Sequence, residues 1–423
     1  MSDLGLPCVH CGLCLDTCPT YRLLGTEGDS PRGRIYIMES ITRGELELDA
    51  QAAVHLSRCL GCLACESACP SGVSYGRRID EFRPRLAARG GSEGSLKSAI
   101  QSVYTNPSLV EWGLRGATLL DRFGLGALRR QVPGLGLLPS SSPASMPGPA
   151  GSDGADANVT PLRRSRTHQP LRARLRVALL TGCVGDQMMP QINRDTVEVL
   201  QRNRIEVVEM PGQGCCGALA LHSGRRDEAV TLARANLAAF ARVREVDAFV
   251  SSAAGCGAML RDYAHLLAGT DVGEEAQAFS ALCRDVCELL VEVGFVAPSR
   301  PLTSAAPVAY HDACHLLHAR GIAAAPRKVC EAATGTPPVD LGENNLCCGS
   351  AGSYNLDHPR LAEQLGRRKA ALAKQSAPTT VAVGNVGCML QIERALALEG
   401  VGAVVRHPIQ LLAAAYRQSA AAS

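Results

Sequence analysis

Cys8-Val-His-Cys11-Gly-Leu-Cys14-Leu-Asp-Thr-Cys18-Pro19 opens the chain, and Cys59-Leu-Gly-Cys62-Leu-Ala-Cys65-Glu-Ser-Ala-Cys69-Pro70 repeats its pattern. Both read C-x2-C-x2-C-x3-C-P, a spacing suited to a pair of four-iron four-sulfur (4Fe-4S) clusters. Three cysteines at intervals of three wrap a short loop around one cube, so three thiolates reach three irons. The fourth is carried past that cube and reaches the other. The spacing therefore predicts crossed ligation: Cys8, Cys11 and Cys14 with Cys69 around one cluster, and Cys59, Cys62 and Cys65 with Cys18 around the second. Zinc is the alternative ion, but it takes paired two-cysteine hooks more readily than runs of four ending in proline.

Around these runs lies a chain of 423 residues, long enough for two or three domains with a sizeable core. A net charge of only +3 gives no reason to expect a nucleic-acid partner. Nineteen cysteines would suggest disulfides in an exported protein, but Met1-Ser-Asp-Leu-Gly5 has neither the basic flank nor the apolar stretch of a signal peptide. The cysteines are thus expected to serve metal or redox chemistry in a reducing, cytoplasmic setting. No apolar run approaches the roughly 18 residues of a membrane span, so any membrane contact is expected to be peripheral, on the inner face.

The segment between the two runs reads as helix around Arg34–Arg43, with Ile35, Met38 and Ile41 on one face, and Ala52–Leu56 leads into Cys59. Residues 1–90 are therefore expected to form an α-helical ferredoxin domain. Residues 91–132 read as a helical extension with Leu109, Val110, Leu114, Leu119 and Leu120 buried, and 133–170 as a disordered Pro/Ser/Gly linker. Arg163, Arg164, Arg166, Arg172, Arg174 and Arg176 follow with no acidic residue among them, either a docking strip for an anionic surface or a solvated linker end.

From Arg176 onward apolar runs alternate with helical segments such as Asp227–Val243 and Pro359–Lys374. Strands are expected at Val177–Thr181, Ile205–Met210, Phe249–Ala253, Val308–His311, Pro338–Leu341, Thr379–Val383 and Ala403–Arg406. Alternation of this kind means parallel strands joined by crossover helices. The half is also duplicated: Cys183, Cys215, Cys216 and Cys256 match Cys314, Cys347, Cys348 and Cys388, in register to within one residue over roughly 130. Expected boundaries are 171–300 and 301–423, which makes the whole an α+β multidomain protein. In each copy the cysteines follow strand ends, where an open parallel sheet forms its ligand crevice. All eight are therefore candidate ligands of a further iron–sulfur or metal centre.

Cys283, Cys287 and Cys330 are read as core packing, with Cys283 and Cys287 together on one helix. His10, His55, His311, His315 and His318 are given polar structural roles, His311 with Asp312 being the pair to watch. There is no dinucleotide fingerprint, P-loop or nucleophile elbow. The chain is expected to pass electrons and leave the organic oxidation to another subunit.

With these residues in view, the chain resembles the iron–sulfur subunit of glycolate oxidase (glycolate dehydrogenase). The resemblance lies in Cys8-Val-His-Cys-Gly-Leu-Cys-Leu-Asp-Thr-Cys-Pro-Thr-Tyr21, in Ser30-Pro-Arg-Gly-Arg-Ile-Tyr36, in His55-Leu-Ser-Arg-Cys-Leu-Gly-Cys62 and in Cys347-Cys-Gly-Ser-Ala-Gly-Ser-Tyr-Asn-Leu356. It spans the chain outside the 133–170 linker. It implies two cysteine-rich CCG domains and a complex, acting on CH–OH donors, in which an FAD-containing subunit oxidises glycolate to glyoxylate. This chain would relay the electrons to a quinone or another acceptor. The related CCG domains of heterodisulfide reductases bind noncubane clusters through a closing C-x-x-C, but here Met259 and Gln391 stand where its last cysteine would be. The resemblance leaves two alternatives: the iron–sulfur subunit of an anaerobic glycerol-3-phosphate or lactate dehydrogenase, and a non-enzymatic cluster scaffold.

Overall fold

Between the two cysteine runs the chain folds as helix, for local reasons. Ser30 caps the helix Pro31–Thr42, its hydroxyl accepting from the Gly33 N–H at 3.0 Å, and Pro31 sits in the first turn, where a missing N–H costs nothing. Asp49 caps Ala50–Ser57 through the Ala52 N–H at 2.7 Å. Ile35 and Met38, Leu56, and Ile79 and Phe82 of the helix Tyr75–Arg89 close into a small core edged by cysteines of both runs. The computed structural model describes residues 7–89, 175–243, 245–302 and 307–421. The expected helical extension at 91–132, the linker at 133–170 and the basic run up to Arg174 lie outside them. Arg176 itself is in a strand and pairs with Glu206 at 3.2 Å.

The second half holds two parallel four-stranded sheets. β1 (Leu175–Leu180), β2 (Ile205–Val208), β3 (Ala248–Ser251) and β4 (Cys283–Asp285) are ordered β2-β1-β3-β4. β5 (Val308–His311), β6 (Val339–Asp340), β7 (Thr380–Val383) and β8 (Val404–Arg406) are ordered β6-β5-β7-β8. One order is the other shifted by four strands, and the register matches too: Leu180 lies opposite Ser251 as His311 lies opposite Val383. The central strands β3 and β5 are buried throughout, as strands covered on both faces should be.

Strand β4 corrects the sequence reading. Cys283 and Cys287 do not share a helix: Cys283 opens β4 opposite Phe249, and Cys287 lies in the helix Val286–Val293. The helix Gly273–Leu282 runs directly into the strand, so no turn residue marks the change. Asp285 and Glu288 then restart helix as a reciprocal capping box. Both cysteines are buried, as is Cys330 in the helix Ala324–Thr334.

The two repeats share a core. Val177, Leu179 and Val250 of the first sheet and Val308 and Tyr310 of the second join Ile409 and Leu412 from the helix Pro408–Ala421. That helix packs on Pro190–Arg202 of the first repeat and on Ala324–Thr334 of the second. Each such buried aliphatic side chain contributes about 1.5–3 kcal/mol, so the repeats are held as one body.

Candidate functional site

The two N-terminal cysteine loops curl through left-handed residues at matching positions. His10 and Gly61, then Gly12 and Leu63, have φ of 54, 64, 85 and 62°. At His10 and Leu63 this costs roughly 1–2 kcal/mol each. The turn aims backbone N–H groups at sulfur: His10 at Cys8 Sγ and Gly61 at Cys59 Sγ, both at 3.4 Å.

Two cavities result. One, of about 420 Å³, is lined by Cys8, Cys11, Cys14 and Cys69, with Cys65 at its inner wall. The other, of about 300 Å³, is lined by Cys18, Cys59, Cys62 and Cys65. Cys18 has left the company of its sequence neighbours and joined the second run, and Cys69 has done the reverse. Around this second, inner cavity Tyr75 Oη donates to Cys59 Sγ at 3.3 Å, and Thr20 Oγ1 and Arg34 Nη1 lie 3.3 and 3.9 Å from Cys18 Sγ. Burial, then the neighbouring sulfurs, pushes the Cys62 and Cys65 thiols well above the usual range. Four converging sulfurs per cavity, none in a disulfide, suit iron–sulfur cubes.

In the repeats the cysteines follow the strands on either side of the point where strand order reverses. Cys183 follows β1 and Cys256 follows β3, while Cys215 and Cys216 follow β2; Cys314, Cys388, Cys347 and Cys348 do the same after β5, β7 and β6. The glycine after each cysteine pair is required by its turn. Gly217 and Gly349 have φ of 88 and 91°, and a Cβ on Gly349 would sit 2.8 Å from the Ala362 carbonyl oxygen. Their N–H groups point at Cys215 Sγ and Cys347 Sγ, each at 3.5 Å. Side-chain hydrogen bonds link Cys183, Cys215, Cys216 and Cys256 in that order. The same order links Cys314, Cys347, Cys348 and Cys388. Hydrogen bonds from Cys183 and Cys216 pull the Cys215 thiol well down and push theirs up.

The repeats do not keep separate mouths. The Gly255 N–H donates to Asn385 Oδ1 at 3.2 Å, and the Ala254 N–H to the Gly384 carbonyl at 3.2 Å, drawing the loops of Cys256 and Cys388 together. Cys183, Cys215, Cys216 and Cys256 thereby face Cys314, Cys347 and Cys388 across one cavity of about 1260 Å³, with Met188, Leu219, Val386 and Leu390 supplying apolar wall. The N-terminal domain abuts it: Cys62 packs in one buried cluster with Cys314 and Cys347. Tyr354 Oη donates to the Arg58 carbonyl at 3.1 Å, and Arg22 pairs with Glu343 at 3.2 Å, across the same junction.

The histidines divide. His55 lies 3.1 Å from the buried Asp29 carboxylate, and His318 bonds Ser67 Oγ at 2.9 Å, both structural as expected. Of the pair His311 and Asp312, the carboxylate is taken by Arg327, which donates to both its oxygens at 2.7 Å. His311 instead stands beside Cys348 and Cys388. A polar cavity of about 1250 Å³ also escaped the sequence reading. Glu66, Arg77, Asp80, Asp262, His222 and His315 line it, and the two histidines border the cysteine cavity as well. Burial, then Asp80, raises the Asp262 carboxyl to about 6, and burial lowers His315 to about 3. These residues come from segments far apart in sequence and share no motif.

A 4Fe-4S dicluster domain matches residues 6–73, and a cysteine-rich domain matches residues 177–261 and again 308–393. The probable glycolate oxidase iron-sulfur subunit of Bacillus subtilis (strain 168) is 33% identical over 416 residues, 95% of this chain and 91% of that one. The glycolate oxidase iron-sulfur subunit of Escherichia coli (strain K12) is 33% identical over 399 residues, 92% and 89% of the two chains. Lactate utilization protein A of Oceanobacillus iheyensis is 27% identical over 239 residues, 56% of this chain and 96% of that protein.

Proposed function

Because the chain belongs to the family of glycolate oxidase iron–sulfur subunits, we propose that it is the electron-transferring subunit of a complex whose separate FAD-containing subunit oxidises glycolate to glyoxylate. The observation that carries this reading is a continuous line of sulfur. It begins at Cys11, which is exposed and flanked by Val9 and Leu13, 64% and 61% exposed. It passes Cys65, which lines both N-terminal cavities, and Cys62, which shares a buried cluster with Cys314 and Cys347, and it ends in the cavity between the repeats.

In this proposal Cys8, Cys11, Cys14 and Cys69 hold one cluster and Cys59, Cys62, Cys65 and Cys18 the other. Such clusters supply one-electron transfer. Glycolate gives up two electrons at once, which calls for a flavin to receive the pair and release it singly. The apolar rim at Val9 and Leu13 is where that subunit would dock. The repeat cysteines would hold further iron–sulfur or metal centres beside the cavity, facing a quinone or other acceptor. This reading assigns the clusters to a domain at 1–90 and the further centres to repeats at 171–300 and 301–423. Among the described residues no helix is long and apolar enough to cross a membrane, and the complex is proposed to work at the cytoplasmic face as a peripheral assembly.

The test is reconstitution. Alone, the chain should not oxidise glycolate with any dye acceptor. With the flavoprotein, glycolate should bleach the iron–sulfur absorbance. Glycolate-driven bleaching of the isolated chain, with no flavin released on denaturation, would refute the reading. Lactate and glycerol 3-phosphate in the same assay decide the substrate.

A further inference from the structure

The two repeats carry the same cysteines, but one strand end differs. His311 closes β5 at the position that Leu180 occupies at the end of β1, since each lies opposite the residue five before the last cysteine of its repeat. In the first repeat Leu180 packs in an apolar cluster with Cys216. In the second, an imidazole stands in that place.

His311 is 1% exposed, and neither of its ring nitrogens has a hydrogen-bond partner. A buried polar group left unpaired costs about 1–3 kcal/mol, a cost the leucine of the first repeat does not carry. What the ring does meet is sulfur. One nitrogen of His311, Cys348 Sγ and Cys388 Sγ all lie within 4.8 Å of one another, and all three residues are buried. Donors bound to one tetrahedral ion at 2.0–2.3 Å sit about 3.3–3.8 Å apart, so small side-chain rotations bring the trio to that spacing. Ligands to separate corners of an iron–sulfur cube point outward and stand wider apart.

The surroundings suit a charged centre. Asn385 Nδ2 donates to Cys388 Sγ at 3.3 Å, the supporting hydrogen bond that ligand thiolates commonly receive. Lys369, 1% exposed, is tied to the Gly342 and Glu343 carbonyls at 3.2 and 2.6 Å and sets a buried cation near Cys348 and Cys347. Cys388 also lines the cavity between the repeats, so an ion has a way in.

We propose that His311, Cys348 and Cys388 chelate a single borderline-soft divalent ion, zinc or ferrous iron, in the second repeat alone. Mixed nitrogen and sulfur donation suits either metal. The site rests on its own geometry and stands whether or not glycolate is the substrate of the complex.

The test uses the full chain with its N-terminal iron–sulfur centres reconstituted. Zinc and iron are counted, and X-ray absorption is recorded at both edges; cobalt(II) serves as a coloured probe for affinity. One ion per chain beyond the cluster iron, with nitrogen and sulfur in its shell, is expected, and the edge that reports it names the metal. His311→Leu, copying the first repeat, should remove the nitrogen and weaken cobalt binding by at least about 10–100-fold, the loss seen even for supporting residues. His311→Gln keeps polarity and serves if leucine impairs folding. Unchanged cobalt affinity in a folded variant, or a wild-type chain that binds no such ion, overturns the proposal. Cluster bleaching by the reduced partner, measured on the same samples, tests the electron-transfer reading separately.

Discussion

Replacing Arg34 with methionine should lower the potential of the inner iron–sulfur centre by on the order of 100 mV and leave the outer one in place. Arg34 lines the cavity of Cys18, Cys59, Cys62 and Cys65 and not the other. Its guanidinium is 1% exposed and reaches to 3.9 Å from Cys18 Sγ. A unit charge at 4 Å is worth about 4 kcal/mol at an effective dielectric of 20, and about half that at twice the distance. A cube lies just beyond the sulfur, so about 2–4 kcal/mol applies, and a one-electron couple shifts by about 59 mV per 1.4 kcal/mol. Reduction adds negative charge, which the arginine favours, so its loss makes reduction harder. Arg34→Lys keeps the charge and should move the potential far less. Arg34 also lies 3.5 Å from the fully buried Asp29, which keeps Arg58 and His55 at 3.1 Å. Breaking a buried pair costs up to about 3–5 kcal/mol, so thermal unfolding should be followed alongside. The assay is an electron paramagnetic resonance redox titration of the reconstituted full chain. A shift confined to the outer centre, or none in folded Arg34→Met protein, would refute both the electrostatic argument and the crossed arrangement beneath it.

Cys18→Ser should perturb the spectrum of the inner centre and Cys69→Ser that of the outer, and the opposite pattern would mean uncrossed ligation. Gly349→Ala forces φ of 91° on a side-chained residue and drives its Cβ to 2.8 Å from the Ala362 oxygen, against 3.2 Å for Gly217→Ala and the Ala229 oxygen. Unfolding should show a loss of about 2–4 kcal/mol at position 349 and a smaller one at 217; equal losses would discount the close approach. Asp285, its carboxyl raised to about 6 mainly by burial, binds its proton more tightly folded than unfolded. Stability from this group is therefore present below pH 4 and lost as pH rises to 6. Asp285→Asn keeps the cap and should be more stable above pH 6, by up to about 2–3 kcal/mol, with no advantage below pH 4 in urea titrations. A pH-independent difference would count against it.

The parts of the fold legible in the sequence were those written locally. The cysteine spacing indicated curled loops, and Ser30-Pro31 and Asp49 placed helix starts within a few residues. The buried strands β1, β3, β5 and β7 stood out as apolar runs between helices. Strand β4 did not, because Cys283–Asp285 is too short to alternate and lies directly between two helices. The strand expected at Pro338–Leu341 forms only at Val339–Asp340. At the candidate site, duplication revealed the matching cysteines but not that seven of the eight line one cavity between the repeats, since that depends on how two domains pack. The buried cluster that holds Cys62, Cys314 and Cys347 joins positions some 250–285 residues apart, and no short motif records such a meeting. Asp312 was adjacent to His311 in the sequence, yet successive strand residues point to opposite faces, and Arg327 claimed it.

The seal over Cys62 has a consequence for how the protein is made and repaired. Cys62 and Cys65 are each 9% exposed, and Cys62 is walled in by residues from the second repeat, which is translated well after the N-terminal domain. Iron and sulfide for a centre in the inner cavity would enter most readily before the second repeat closes, while the N-terminal domain is still open. After closure Cys11 alone of the eight N-terminal cysteines is exposed to a delivery factor or an oxidant. A centre in the outer cavity would then be the replaceable one, lost first under oxidative damage and rebuilt in place, while one in the inner cavity would last as long as the fold around it.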